Sequence, residues 1–241
     1  MKNRASPPSG GKKWPVIFAG ALAAFLLPAQ ETPAPPAVAT NSPIRQIAPG
    51  IFAIGQVRLD QRRHVVTLPA TVNQREFAVE YFLVTGYGKT HESVLRTDAE
   101  PYHLHLALLL LGAKGAGTNS FPEDHAKPLP GDKVTIEVSW KINGQETRRR
   151  AEELIFNLQT KSTMSRGDWI YNGSRIYEGT FLAQENGSLV SVMEDADALV
   201  NNPRPGRENE KIWQVNSNSL PPLNTPIEVT IRLVAGGEAA H

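Results

Sequence analysis

Four side chains with the chemistry of metal ligands or acid–base catalysts lie close together in the sequence: His91, Glu92, His103 and His105. Zinc coordination or general-base work draws on such types, but their spacing does not assemble a centre by itself. His91 and Glu92 are adjacent, and in the strand expected there they point to opposite faces. His103 and His105 are two apart, which on a helix is about 200° of rotation, and they lack the i, i+4 pairing of a zincin helix. At best one member of each pair converges, giving two protein ligands where zinc takes three or four. The first expectation is therefore structural: one helix histidine donates to a backbone carbonyl, and Glu92 pairs with Lys89, Arg96 or a histidine. The second is a binding site at His91, Glu92, His103 and His105, with no catalytic residue assigned and a bound metal left open.

Other candidates carry less. Glu194-Asp195-Ala196-Asp197 lacks the glycine and distal glutamate of a calcium loop and reads as a cap on a helical turn. Arg148-Arg149-Arg150 reads as the guard of an exposed strand edge, with anion recognition as the alternative. Asn172-Gly173-Ser174 and Asn186-Gly187-Ser188 match the glycosylation sequon, yet each reads first as a hairpin turn. Ser174 and Ser93 lack a G-x-S-x-G frame, and no lysine with serine or threonine completes a phosphate loop. Trp140 and Trp169 sit in strand contexts that suggest core packing, which leaves Trp213, in a loop, as the tryptophan most available to a ligand.

The elements that must position these groups centre on Phe77 to Gly112. Phe77–Thr85 is a near-continuous apolar run, expected as a strand covered on both faces. Gly86 and Gly88 turn the chain into a second short strand over Thr90–Arg96. Pro101 opens a helix of about 101–111 whose leucines leave no polar face, so it is expected to be buried against the strand before it. At about 10 to 12 residues it is too short to span a bilayer. Upstream, Val57–Asn73 reads as a strand disturbed at Pro69. Downstream, alternation at Val134, Ile136 and Val138 ends at Asn143-Gly144, a hairpin signal, and Ile227 to Val234 closes the fold after a long loop containing Trp213. The fold class expected is α+β: β-rich, with antiparallel hairpins and a meander around one dominant buried helix.

The chain has 241 residues and no cysteine, which excludes disulfides, thiolate zinc sites and iron–sulfur clusters. Lys12-Lys13, an apolar segment from Trp14 to Leu27 and the exit Pro28-Ala29 read as a secretory signal peptide over residues 1–29, with an uncleaved N-terminal anchor as the alternative. A Pro/Ala-rich linker over 30–43, one domain over 44–235 and a tail over 236–241 complete the expected organisation. The net charge of +1 rests on Lys2, Arg4, Lys12 and Lys13; without them 21 basic residues face 24 acidic ones, a balance of −3. A near-neutral mature chain argues against nucleic acid as a partner and leaves the membrane only the N-terminal segment.

The segments LPATVN (Leu68–Asn73), AVEYFLV, GKTHES (Gly88–Ser93), PYHLHLALLLLG (Pro101–Gly112), PGDKVTIEVSW (Pro130–Trp140) and WIYNGS (Trp169–Ser174) together resemble the YdjY-type domain of exported bacterial proteins. The resemblance implies a secreted or envelope domain and brings no established biochemical activity. Iron–sulfur clusters described for some proteins under that name cannot transfer to a chain without cysteine. The function expected is that of a non-enzymatic, exported binding or interaction module for an envelope protein or small ligand. A hydrolase-type or metal-dependent enzyme using His91 and Glu92 is the alternative.

Overall fold

The computed structural model describes residues 44–234; the leader, linker and tail expected at 1–29, 30–43 and 236–241 lie outside the described residues. In chain order the strands are β1 (Ile44–Ala48), β2 (Ile51–Ile54), β3 (Val57–Asp60), β4 (Val65–Val72), β5 (Tyr81–Thr85) and β6 (Ser93–Thr97), followed by helix α1 (Pro101–Leu110). Then come β7 (Asp132–Ile142), β8 (Gln145–Arg150), β9 (Ile155–Asn157), β10 (Ser162–Thr163), β11 (Trp169–Tyr171), β12 (Ile176–Tyr177) and β13 (Thr180–Phe181). Helix α2 (Leu182–Asn186), β14 (Ser188–Ser191), β15 (Val200–Asn201), β16 (Trp213–Val215) and β17 (Pro226–Leu233) complete the order.

Alternation in the long strands sets which face is buried. In β17, Ile227, Val229 and Ile231 point inward while Glu228 and Arg232 face solvent, and in β7 Val134, Ile136, Val138 and Trp140 do the same against Glu137 and Lys141. β4 pairs with β17, β17 with β7, and the order runs on through β11, β15, β14, β5 and β6, which returns to β4 and closes an eight-stranded barrel. Closure leaves the barrel's own strands without bare edges. β4 and β7 are longer than the barrel needs, and each shares one edge between two neighbours. β4 takes β3 along its first half and β6 at its end; β7 takes β11 at its start and β8 beyond. Pro69 falls in the gap on β4, between Thr67, paired with β3, and Thr71, paired with β6. Its carbonyl there accepts the Thr97 hydroxyl at 2.5 Å, and the missing N–H faces no ladder partner.

The β-rich fold with one main helix agrees with expectation, and three details differ. First, the barrel is mixed: β5 runs parallel to β6, and β14 parallel to β15. Gly86–Glu92 does not make a tight hairpin. It carries the chain back along the length of β5, a reach of roughly 23 Å for seven extended residues against about 16 Å for the strand. Second, Thr90–Glu92 is a single 3₁₀ turn, and the strand begins only at Ser93. Third, α1 is buried on one side. Leu104, Ala107 and Leu108 enter the core, whereas Tyr102, Leu109 and Leu110 are exposed. α1 follows β6, whose neighbour is β4, so it lies over β4 with β2 and β3, and against α2, instead of on the strand at Phe77–Thr85.

Of the three Asn-Gly pairs, only Asn143-Gly144 makes a hairpin, with φ of 52° and 80° at its two residues. Gly187, at φ 68°, ends α2, and Asn172 is a buried side chain bound to its surroundings. The β12–β13 hairpin turns instead on Glu178-Gly179, at φ 48° and 83°.

Candidate functional site

The turn that carries His91 is held from several directions. The Asn73 amide donates to the carbonyl of Thr90 and, at 2.8 Å, to that of Ser93, so LPATVN clamps GKTHES. Thr90 N–H donates to Gly88 at 2.8 Å, and Glu80 N–H to the Glu92 carbonyl at 3.0 Å. A Cβ at Gly88 would sit 3.0 Å from the Gly187 carbonyl and 3.1 Å from that of Asn186, so glycine permits the close approach of this turn to the end of α2.

On that clamped turn the His91 side chain is 75% exposed, and its Nε2 lies 3.4 Å from Glu92 Oε1. The two side chains therefore meet, because the residues belong to a 3₁₀ turn and not to the strand that would have sent them to opposite faces. Behind them Lys89 Nζ is 3.6 Å from Glu80 Oε2 and lies over the Tyr81 ring at 5.3 Å. The Glu80 carboxyl is pushed above the ordinary glutamate range by burial first and by the Glu92 charge second, with Lys89 acting in opposition.

His91 forms a ridge between two depressions. One, of about 670 Å³, is lined by Asn73 to Phe77 with Thr90 and Leu223; its apolar members Phe77 and Leu223 are 66% and 54% exposed. The other, of 420 Å³, is polar and holds Tyr81, Lys89, Asp195 and Asp197. There the Tyr81 hydroxyl donates to Asp195 Oδ2 at 2.9 Å, and burial followed by the Asp195 charge pushes the phenol far up.

The helix histidines point elsewhere. His103 packs on β2–β3, where a Cβ at Gly55 would sit 2.3 Å from His103 Nδ1. His105 faces the opposite way, with Nδ1 2.8 Å from the hydroxyl of the buried Tyr171 and its ring 4.9 Å from Phe181. Burial lowers the pKa of His105 and raises that of Tyr171, which favours the neutral form of both groups at this contact. The four expected site residues thus separate into the pair His91–Glu92, His103 against Gly55, and His105 with Tyr171. Among the described residues no group of three or more His, Asp or Glu is placed to hold a metal ion. Ser174 donates its hydroxyl to the Asp197 carbonyl at 2.6 Å and accepts from Ala183 N–H at 3.0 Å, a structural use of the group.

Two buried ion networks have no local sequence signal. Glu152, 1% exposed, takes Arg150 and Arg204 at 2.9 Å each, and the Arg204 guanidinium lies 5.3 Å from the Trp169 ring. Arg207 binds Glu194 at 2.5 Å and the carbonyls of His125 and Lys127, tying the 114–130 loop to the segment after β15. Trp213, expected to be available to a ligand, is buried in β16 and donates Nε1–H to Gly206 at 3.0 Å. Its flanking residues look loop-like in sequence because β16 is only three residues long.

No helix among the described residues is long and apolar enough to cross a membrane. Comparison with known proteins gives one family match: the family model of the YdjY domain fits residues 57–232. Searches of curated proteins and of solved structures return no significant match.

Proposed function

The chain belongs to the YdjY domain family, and from that premise we infer that it is an exported, non-enzymatic binding module whose contact face is the ridge at His91. One observation carries this reading: a largely exposed imidazole stands on a turn fixed by Asn73, directly beside the exposed apolar side chains of Phe77 and Leu223. Exposed aromatic and aliphatic anchors around a rigid polar group are what a partner surface uses to gain affinity without ordering the site on contact. The open shape of the larger depression suits a protein or peptide surface better than an enclosed small molecule. The leader-like segment before residue 30 supports export.

The reading is tested with the full chain and with residues 44–234 immobilised and exposed to envelope extract. His91→Ala and Phe77→Ala are expected to lose the captured partner at least tenfold while melting at the parent temperature, since neither side chain is buried. Glu92 stands beside His91 as a candidate base, so Glu92→Gln is assayed in parallel. Substrate turnover abolished by that change, with capture unaffected, would replace the binding module with a hydrolase.

A further inference from the structure

A second site lies on the far side of α1 from His103. His105, Leu109, Ile176 and Phe181 line a cleft of 500 Å³ whose other wall is the loop beginning at Lys114. It shares no lining residue with the two depressions beside His91. The cleft is built to a fixed shape. Gly115, at φ 68°, approaches so closely that a Cβ there would be 2.6 Å from the Asn172 carbonyl, and Ala116 N–H donates to that same carbonyl at 2.7 Å. The carboxylate of Asp132 accepts the N–H groups of Lys114 and Gly115 at 2.6 and 2.7 Å, fixing the start of the loop.

The charged and ring-nitrogen groups left open in the cleft are donors. The Tyr171 hydroxyl has no other acceptor among the described residues, which assigns it as the donor to His105 Nδ1 and the ring proton to Nε2, itself without a partner among the described residues. The Lys114 side chain is exposed and has no ion pair among the described residues. Arg175, also on the wall, is held by Asp197 at 2.5 Å, and no carboxylate lines the cleft. The remaining lining divides between apolar side chains, Phe181 with its ring 4.9 Å from His105, Leu109 and the 74% exposed Ile176, and the loop residues Thr118, Asn119 and Ser120, whose hydroxyl and amide groups can also donate to an anion.

An N–H donor and an ammonium beside a hydrophobic wall fit one chemistry. We propose that the cleft between α1 and the 114–120 loop binds a carboxylate joined to an apolar group, the carboxylate meeting His105 Nε2–H and Lys114 while the apolar body lies on Phe181, Leu109 and Ile176. Such a ligand has two sources, a free small acid or the C-terminal residue of a peptide, and both present the same anion and the same apolar arm.

The probes are 3-phenylpropionate, its primary amide, and acetyl-Ala-Phe with a free carboxylate, each titrated into the full chain with ¹H–¹⁵N and histidine ring resonances observed. Saturable shifts at His105, Phe181 and the 114–120 amides are expected with the acid, at least tenfold weaker binding with the amide, and a similar tenfold loss in Lys114→Gln, whose exposed side chain leaves folding unchanged. Tighter binding of acetyl-Ala-Phe than of 3-phenylpropionate supports the site with a chain terminus as its source; the reverse order supports it with a free acid. Equal affinity for acid and amide, shifts confined to the His91 turn, or no saturable shift at His105 overturns the proposal. None of these outcomes depends on the partner captured at His91.

Discussion

His105 and Glu80 are the two ionisable side chains whose surroundings translate most directly into measurable behaviour. Burial depresses the His105 pKa, so as pH falls below about 6.5 the unfolded chain takes up a proton that the folded chain resists. Stability contributed by the neutral ring is thus intact above that value and is lost progressively as pH falls towards the depressed folded pKa. His105→Gln should flatten this part of the melting-temperature profile below about pH 6.5, and a histidine NMR titration should place His105 below the ordinary histidine value. Glu80 runs the other way: its pKa is raised, so the folded state is favoured while the carboxyl is protonated and loses ground as pH rises through the folded value. Glu80→Gln is accordingly expected to raise the melting temperature at pH 7 and to leave it nearly unchanged at pH 4. At this scale the sequence singled out His91 and His105 without revealing their partners. His91 is recognisable from the glycine-flanked turn around it, whereas the hydroxyl that fixes His105 belongs to Tyr171, 66 positions away, and no periodicity connects them.

Elements were legible where one local rule determined them. Pro101 set the start of α1, Asn143-Gly144 the β7–β8 hairpin, and alternation the inward faces of β7 and β17. The direction of β6 was not legible, because a glycine-rich connection of that length permits either a hairpin or a return run, and the pairing of β6 with β4 decides between them. The arginines of β8 show a related limit. The strand is an edge, as their presence suggested, but each is already matched to a nearby acid: Arg148 to Glu146, Arg149 to Glu153 and Arg150 to Glu152. Glu152 is the element-scale hinge of this region, joining the end of β8 to the segment that carries Arg204. Removing one side of a buried pair leaves an unmatched charge, so Glu152→Ala should cost roughly 3–5 kcal/mol, read by urea denaturation. The double change Glu152→Leu with Arg204→Met should recover part of that loss, since it removes the more deeply buried of the two stranded arginines and leaves Arg150, 17% exposed, its bond to the Gly167 carbonyl.

For the whole molecule the deciding strand is β17, which bonds along its length to β4 on one side and β7 on the other. A chain cut before Pro226 should give a collapsed spectrum without dispersed amide resonances, and a synthetic peptide covering 224–234 should restore dispersion on addition. Recovery of dispersion without the peptide would show that the barrel tolerates a gap between β4 and β7. The central position of β17 also has a consequence in time. The strands it joins are made first and must wait for it, because no earlier segment supplies the hydrogen bonds that unite β4 with β7. Long-range pairing of this kind is slow to form. Until that strand is made, the other seven barrel strands can pair only as one open sheet with bare edges at β4 and β7, and the wall closes on itself only once its final strand has arrived.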